Sequence, residues 1–458
     1  MRDAPSIMIL SALLFAGCAT PPPEPLHAPP PPAADATNRV ETVMRPLPTD
    51  WWTAFGDPEL NRLIGLARTQ NRDLQQAAAR LEAAKARAKL ADAESELQVT
   101  GSAEANRQRS SQSTAIQFGK NYLTQFSAGL DFAYEADLWG RIRATRAAAG
   151  KEVELSAAER AAAEISLLAQ VAKQHLSRLA VQRESAVVER QLVEDADTEK
   201  LQASRVQAGY ASELDLQRVR IEKATREGEL AQLRESDQAL ANALALLCGE
   251  AAGAVSTNGA PGEAVLPGVP TTLSLALLDV RPDVAAKHAK WEASFQRVQA
   301  ARAEFYPALR LSGEFGYASK STGNLLDWQS RLWSLVGGLT GPILDGGRLK
   351  RNLALMNAQL REDAAGYESA VLTAYREVSD ALNTLHALAE QQAAAERARD
   401  AAWRALSLSR ERYDKGFVTY LEVVDSDRSL LSAQVTLIRL QAGRQNATVD
   451  LIRALGLP

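Results

Sequence analysis

One turn occurs twice in this chain, 207 residues apart, and it constrains most of what the polypeptide can become. The first copy reads Arg205-Val206-Gln207-Ala208-Gly209-Tyr210-Ala211-Ser212-Glu213-Leu214-Asp215. The second reads Arg412-Tyr413-Asp414-Lys415-Gly416-Phe417-Val418-Thr419-Tyr420-Leu421-Glu422. Each follows a very long helical pattern. Gly209 and Gly416 suit the left-handed conformation that ends a helix, because they carry no Cβ to clash there. Ser212 and Thr419 stand three residues before Asp215 and Glu422, the spacing of a capping box that opens a new helix. Two long antiparallel helix pairs are therefore expected, and with them an elongated, pseudo-symmetric object rather than a globule around a pocket.

The flanking texture agrees. Residues 151–208 contain neither Gly nor Pro, which predicts a helix of roughly 90 Å at 1.5 Å per residue. Within it Ile165, Leu168, Ala172, His175 and Leu179 alternate spacings of three and four. Val371, Ala374, Val378, Ala381, Leu385 and Leu388 do the same in the second half, a coiled-coil period. Ahead of each long helix the period changes to two. From Ser127 to Leu138 apolar residues occupy the even positions and mostly polar ones the odd, the pattern of a two-faced strand. Leu309, Leu311, Phe315 and Tyr317, then Trp333, Leu335 and Leu339, repeat it. Polar loops, Arg107 to Asn121 and Ser319 to Ser330, separate the members of each strand pair.

The N-terminus is read as a lipoprotein signal peptide over residues 1–17, with an apolar run from Ile7 to Phe15 too short to span a bilayer. Leu14-Phe15-Ala16-Gly17-Cys18 resembles a bacterial lipobox, which makes Cys18 the lipidation site and residues 18–50 a Pro-rich tether. A first repeat then covers 51–265, with a strand pair at about 98–138 and a long helix pair at about 141–248. A second covers 266–458, with a helix at about 281–304, strands at about 308–343 and helices at about 348–455. Cys248, left without a disulfide partner, reads as a buried apolar side chain.

Four strands of membrane-spanning length cannot close a barrel, and lipid tolerates no open sheet edge. A chain that inserts them must therefore oligomerise. The expected fold class is mainly α with a β-barrel: duplicated long-helix hairpins plus four transmembrane strands per chain.

With these features in place, the chain resembles the TolC-like outer-membrane efflux proteins, in their lipid-anchored NodT-type branch, from Trp51-Trp52 to Pro458. The likeness is carried by Asp137-Leu138-Trp139-Gly140-Arg141 and Leu344-Asp345-Gly346-Gly347-Arg348 at the strand-to-helix joints. Arg281-Pro282-Asp283-Val284, Phe305-Tyr306-Pro307 and Tyr420-Leu421-Glu422-Val423-Val424-Asp425 add to it. Glu96-Leu97-Gln98 departs from the Leu-Pro that usually precedes the first strand.

The resemblance implies a homotrimer with a twelve-stranded barrel in the bacterial outer membrane and a helical tunnel below it. This would be a passive duct, served by an inner-membrane pump and a periplasmic adaptor and held additionally to membrane lipid by its N-terminal anchor. It further implies that Arg205, Val206, Gly209, Ser212, Arg412, Tyr413, Gly416 and Thr419 are adaptor-contact tips, although capping alone also accounts for the glycines and hydroxyls. Leu421, Asp425 and Arg428, on one helical face at i, i+4 and i+7, would form the periplasmic gate. There a ring of Asp425 favours cations, or pairs with Arg428.

No catalytic set is legible. His27, His175, His288 and His386 lie far apart, no metal-ligand spacing occurs, and the glycine-rich Gly337 to Pro342 lacks a P-loop lysine. No enzyme, metal or cofactor is expected, and the near-balanced charge (52 basic, 56 acidic) argues for no nucleic acid. Protein secretion, metal-ion export and a periplasmic coiled-coil tether remain as alternatives.

Overall fold

The computed structural model describes residues 50–109, 111, 122–253 and 281–457. The signal peptide, Cys18, nearly all of the tether, most of the first polar loop and the junction at 265/266 lie outside these residues. The described residues form two compact units. One consists of the described residues within Arg80–Ser156 and Ala286–Glu368; the other consists of those within 50–79, 157–253, 281–285 and 369–457.

The first unit contains the sheet. Its strands are β1 (Gln98–Arg109), β2 (Tyr122–Ala136), β3 (Ala308–Ser319) and β4 (Arg331–Thr340), all antiparallel and in sequential order. Strand β2 begins five residues before the alternation that signals it, because Tyr122 through Phe126 also pair with β1. The register turns period-two patterning into two chemically distinct faces. Leu130, Phe315 and Trp333 lie in one cross-strand row, and Val99, Phe132 and Leu335 in the next. On the other face Thr100, Asp131, Glu314 and Ser334 form a polar row. Trp333 and Leu335 are 78% and 77% exposed, so the apolar face has no covering layer among the described residues.

Each strand pair passes into a long helix through an aspartate. Asp137 accepts from the backbone N–H groups of Ile142 and Arg143 at 3.1 and 2.9 Å. Asp345 does the same for Gly347 and Leu349, both at 2.8 Å. A carboxylate at a helix start satisfies orphan donors and opposes the positive end of the dipole. Trp139 donates from Nε1 to the Pro307 carbonyl at 2.8 Å and stacks on Tyr306. The Asp-Leu-Trp-Gly-Arg and Phe-Tyr-Pro motifs are thus two halves of one joint.

In the second unit the hydrophobic core begins with the aromatic turn Trp51–Phe55. It continues into α1 (Pro58–Gln70), whose Leu60, Leu63, Ile64 and Ala67 are buried. Helix α1 is broken off at Asn71, before α2 (Arg72–Ala93). Asn71 Oδ1 accepts from Leu74 N–H, and its Nδ2 donates to the Leu247 carbonyl. Asn71 therefore caps one helix and pins it to another.

The long helix pairs are α3 (Arg141–Gln207) with α4 (Glu213–Leu247), and α6 (Arg348–Asp414) with α7 (Tyr420–Ala454); α5 (Pro282–Ala303) precedes β3. The outgoing helices are 67 residues each and the returning ones 35. The 3-4 seam of α3 is buried at Ile165, Leu168, Ala172 and Leu179. His175 occupies the same seam and is held at Nε2 by Asp57 Oδ2, 2.7 Å away.

Cys248 is wholly buried with its Sγ over the Leu63 carbonyl, and burial pushes its thiol up to about 11. At pH 8 only about one thiol in a thousand is then ionised. Maleimide should leave the native protein unlabelled and react after denaturation, which mass spectrometry reads directly.

Candidate functional site

Gly209 and Gly416 both adopt positive φ, 79° and 74°. At the first turn Tyr210 N–H reaches the Arg205 carbonyl at 2.8 Å and Gly209 N–H the Val206 carbonyl at 3.0 Å. At the second, Phe417 N–H reaches Arg412 and Gly416 N–H reaches Tyr413, both at 2.9 Å. These 6→1 and 5→2 bonds make a Schellman motif at each end, so Arg205, Val206, Arg412 and Tyr413 help build the turns through their carbonyls.

The expected capping boxes do not form. Ser212 caps α4 by accepting from Leu214 N–H at 3.2 Å, while Asp215 turns to Arg218 instead of reaching back. Thr419 makes no side-chain cap bond. Both helices still start where the spacing placed them, since backbone bonds from Asp215 to Ser212 and from Glu422 to Thr419 suffice.

Side chains brace the two turns within this unit. Gln202 of α3 donates to the Tyr413 hydroxyl at 3.0 Å, and the Arg205 guanidinium lies 5.8 Å from the Tyr413 ring centre. Tyr413 meets Tyr420 edge to face at 5.4 Å, and burial pushes the Tyr420 phenol up to about 12. Just beyond, Arg226 of α4 is 3% exposed and joins Asp195 of α3 to Asp427 of α7. Gln191 donates to both oxygens of Asp427 at 3.1 Å, and Arg410 approaches it at 3.6 Å. Burial raises the Asp427 carboxyl above its ordinary range, with the Arg226 guanidinium working against that shift. Burial also opposes the charge on Arg226, but hydrogen bonding to Asp195 and the charge of Asp427 hold it cationic.

Leu421 and Asp425 are exposed on α7, on the face predicted for them. Arg428 does not pair with Asp425. It forms a bidentate ion pair with Glu222 of α4, which is buried, and this leaves the Asp425 carboxylate facing solvent.

Arg226, Asp195, Asp427 and Glu222 were not singled out from sequence. For Glu222 and Arg226 the signal lies in α4, where Leu216, Val219, Glu222, Arg226, Leu230 and Leu233 are all buried in one 3-4 seam. Charged residues in an apolar phase mark a paired, register-fixing position. Among the described residues no His, Cys, Asp or Glu group is arranged to hold a metal. No helix there is long and apolar enough to cross a membrane.

A sheet whose apolar face is bare, joined to paired helical hairpins, is the geometry to set beside known proteins. The sequence profile of outer membrane efflux proteins matches residues 63–250 and 273–457. The chain belongs to the outer membrane efflux protein family. Outer membrane protein OprJ of Pseudomonas aeruginosa is 34% identical over 89% of this chain and 86% of its own length. A probable outer membrane lipoprotein of Salmonella typhimurium, SilC, is 29% identical over 98% of both chains. The crystal structure of a membrane protein from Pseudomonas aeruginosa superimposes with a TM-score of 0.87 at 32% identity, covering 94% of this chain and 99% of that one. As an outer membrane efflux protein, this chain has the TolC-like architecture that its sequence implied.

Proposed function

We propose that three copies of this chain close into one passive conduit, which carries small toxic compounds from the periplasm through the outer membrane. The observation that carries this is the bare-faced sheet. Strands β1 and β4 each leave one edge unpaired among the described residues, and such edges cannot stand in lipid. Sister copies satisfy them, and four strands from each of three chains give a closed twelve-stranded barrel within the known range. An inner-membrane pump supplies the energy, and a periplasmic adaptor meets the tips formed by Arg205, Val206, Gly209 and Ser212 with Arg412, Tyr413, Gly416 and Thr419. The SilC relative is named a lipoprotein, which supports Cys18 as a lipid attachment point. Purified protein should migrate as a heat-modifiable trimer and conduct ions in planar bilayers, and its deletion should sensitise cells to dyes, detergents or antibiotics. A non-conducting monomer would end the proposal.

Leu421, Asp425 and Arg428 are assigned to the periplasmic gate. Because Arg428 is engaged by Glu222, the exposed Asp425 is the member free to form a ring of like charge at the axis. Asp425→Ala should raise single-channel conductance and weaken cation preference. Unchanged traces would remove it from the constriction.

A further inference from the structure

The apolar face of the sheet is not free of charge. Its positions are the odd residues of β1, β3 and β4 and the even residues of β2, as the pairing register fixes. Among them the only charged side chains are Arg107, Arg109 and Arg331. All three stand at the loop end, for Arg107 and Arg109 close β1 and Arg331 opens β4. The other end of the same face, at Val99, Tyr134, Leu309 and Leu339, carries no charge. The three arginines are exposed and form no ion pair among the described residues. Residues 110–121, which follow β1, contain no Asp or Glu, and in the loop between β3 and β4 Lys320 offsets Asp327.

The second observation is independent of charge balance. The Arg107 and Arg109 guanidiniums lie 5.9 and 5.5 Å from the centre of the Tyr122 ring, and that of Arg331 covers Trp328, which is 77% exposed. Tyrosine and tryptophan collect at the headgroup level of a membrane. That level is also where a guanidinium on the lipid face is tolerated, since the same charge at mid-depth is costly. The rings and the cations therefore mark one boundary, and only one of the two leaflets meets them.

Strands β1 and β4 are the edges of the sheet. Closure by sister copies, the reading on which this inference rests, brings Arg107 and Arg109 of one copy to the same face and the same end of the seam as Arg331 of the next. Like charges gathered there repel unless an anion lies among them. Helices α3 and α6 start from the other end of the sheet, so the loop end with its arginines faces the outer leaflet.

We propose that each seam binds the phosphorylated glycolipid of the outer leaflet. Its phosphates bridge Arg331 of one copy and Arg107 and Arg109 of the next, and its acyl chains lie along the apolar rows through Leu130, Phe315 and Trp333. Arginine suits this task because its planar fork meets phosphate oxygens in pairs. A headgroup with two phosphates answers three guanidiniums better than a single phosphodiester does.

Native mass spectrometry of the full-length trimer in detergent, titrated with bisphosphorylated lipid A, tests this. Uptake should saturate at one molecule per seam. Monophosphorylated lipid A and phosphatidylglycerol should each bind about tenfold more weakly, through loss of charge-assisted bonds. Arg331→Gln should weaken binding of the bisphosphorylated lipid comparably, as should Arg107→Gln combined with Arg109→Gln. Arg310→Gln, on the polar face, should bind as the wild type does. The comparison among lipids uses the unaltered protein, so it stands even where a variant fails to assemble. A trimer without saturable binding overturns this proposal alone, whereas a monomer removes the seam and overturns the conduit with it. Equal affinity for phosphatidylglycerol, or binding that neither set of arginine substitutions weakens, also overturns the glycolipid site.

Discussion

Arg226→Met is expected to destabilise the tip packing by about 3–5 kcal/mol, because it strips the only buried cation from between two carboxylates. Asp195 and Asp427 would then face each other across α3 and α7 with only Gln191 and the more distant Arg410 left to offset them, and one of them is expected to protonate or move to water. Methionine matches the stem of arginine closely, so lost packing contributes little to that figure. Hydrogen exchange should show faster opening of the segments around Asp195, Arg226 and Asp427, and bilayer recordings should show longer open times. Unaltered exchange would mean that the cluster does not lock the hairpins.

Asp427→Asn is the contrasting substitution. It keeps an oxygen for Arg226 and Gln191 and leaves one carboxylate for one guanidinium, so a cost of no more than about 1 kcal/mol is expected. Its effect depends on pH with a definite sign. The folded protein holds the Asp427 proton more readily than the unfolded chain, whose value is 3.8. That contribution is fully present below 3.8 and is lost as pH rises through the raised folded value. The urea midpoint of the wild type should therefore carry an acid-side gain from this group that Asp427→Asn lacks. Matching profiles for the two proteins would refute it.

The second large effect is expected in the sheet. Gly316 and Gly129 stand directly opposite each other in β3 and β2. A Cβ at Gly316 would come within 2.5 Å of the Ala128 carbonyl oxygen and 2.6 Å of Gly129 Cα. Both are backbone atoms of a paired strand, so neither can swing aside. Gly316→Ala should cost about 3 kcal/mol or more, the upper end for overpacking, and abolish the heat-modifiable band. Gly338→Ala, in β4 with open space around the new methyl group, is the control and should assemble normally. Equal behaviour of the two variants would show that the strands tolerate wider spacing than this geometry allows.

The large features were legible because they are periodic. The alternation from Ala128 to Leu138 and the 3-4 seam through Leu168 and Leu179 each follow from one local repeat, and the left-handed glycines follow from a single residue type. What escaped is tertiary. Asn71 is compatible with a helix interior, and only its bonds to Leu74 and Leu247 explain the break there. Arg428 stands three residues after Asp425 on the same helical face, yet its partner Glu222 lies 206 positions away. Charged residues on α4 read as a solvated surface until their phase is compared with Leu216 and Leu230. Thr419 shows the reverse error, a correct spacing whose hydroxyl bond the backbone made unnecessary.

The matched lengths of the two helix pairs carry one more consequence. Gln202 and Arg205 meet Tyr413 only because α3 and α6 reach their turns in step. Seven residues added to α3 alone would slide those partners past each other by about 10 Å and undo every brace between them. The span of such a molecule is therefore adjustable only by twinned insertions, one in each half.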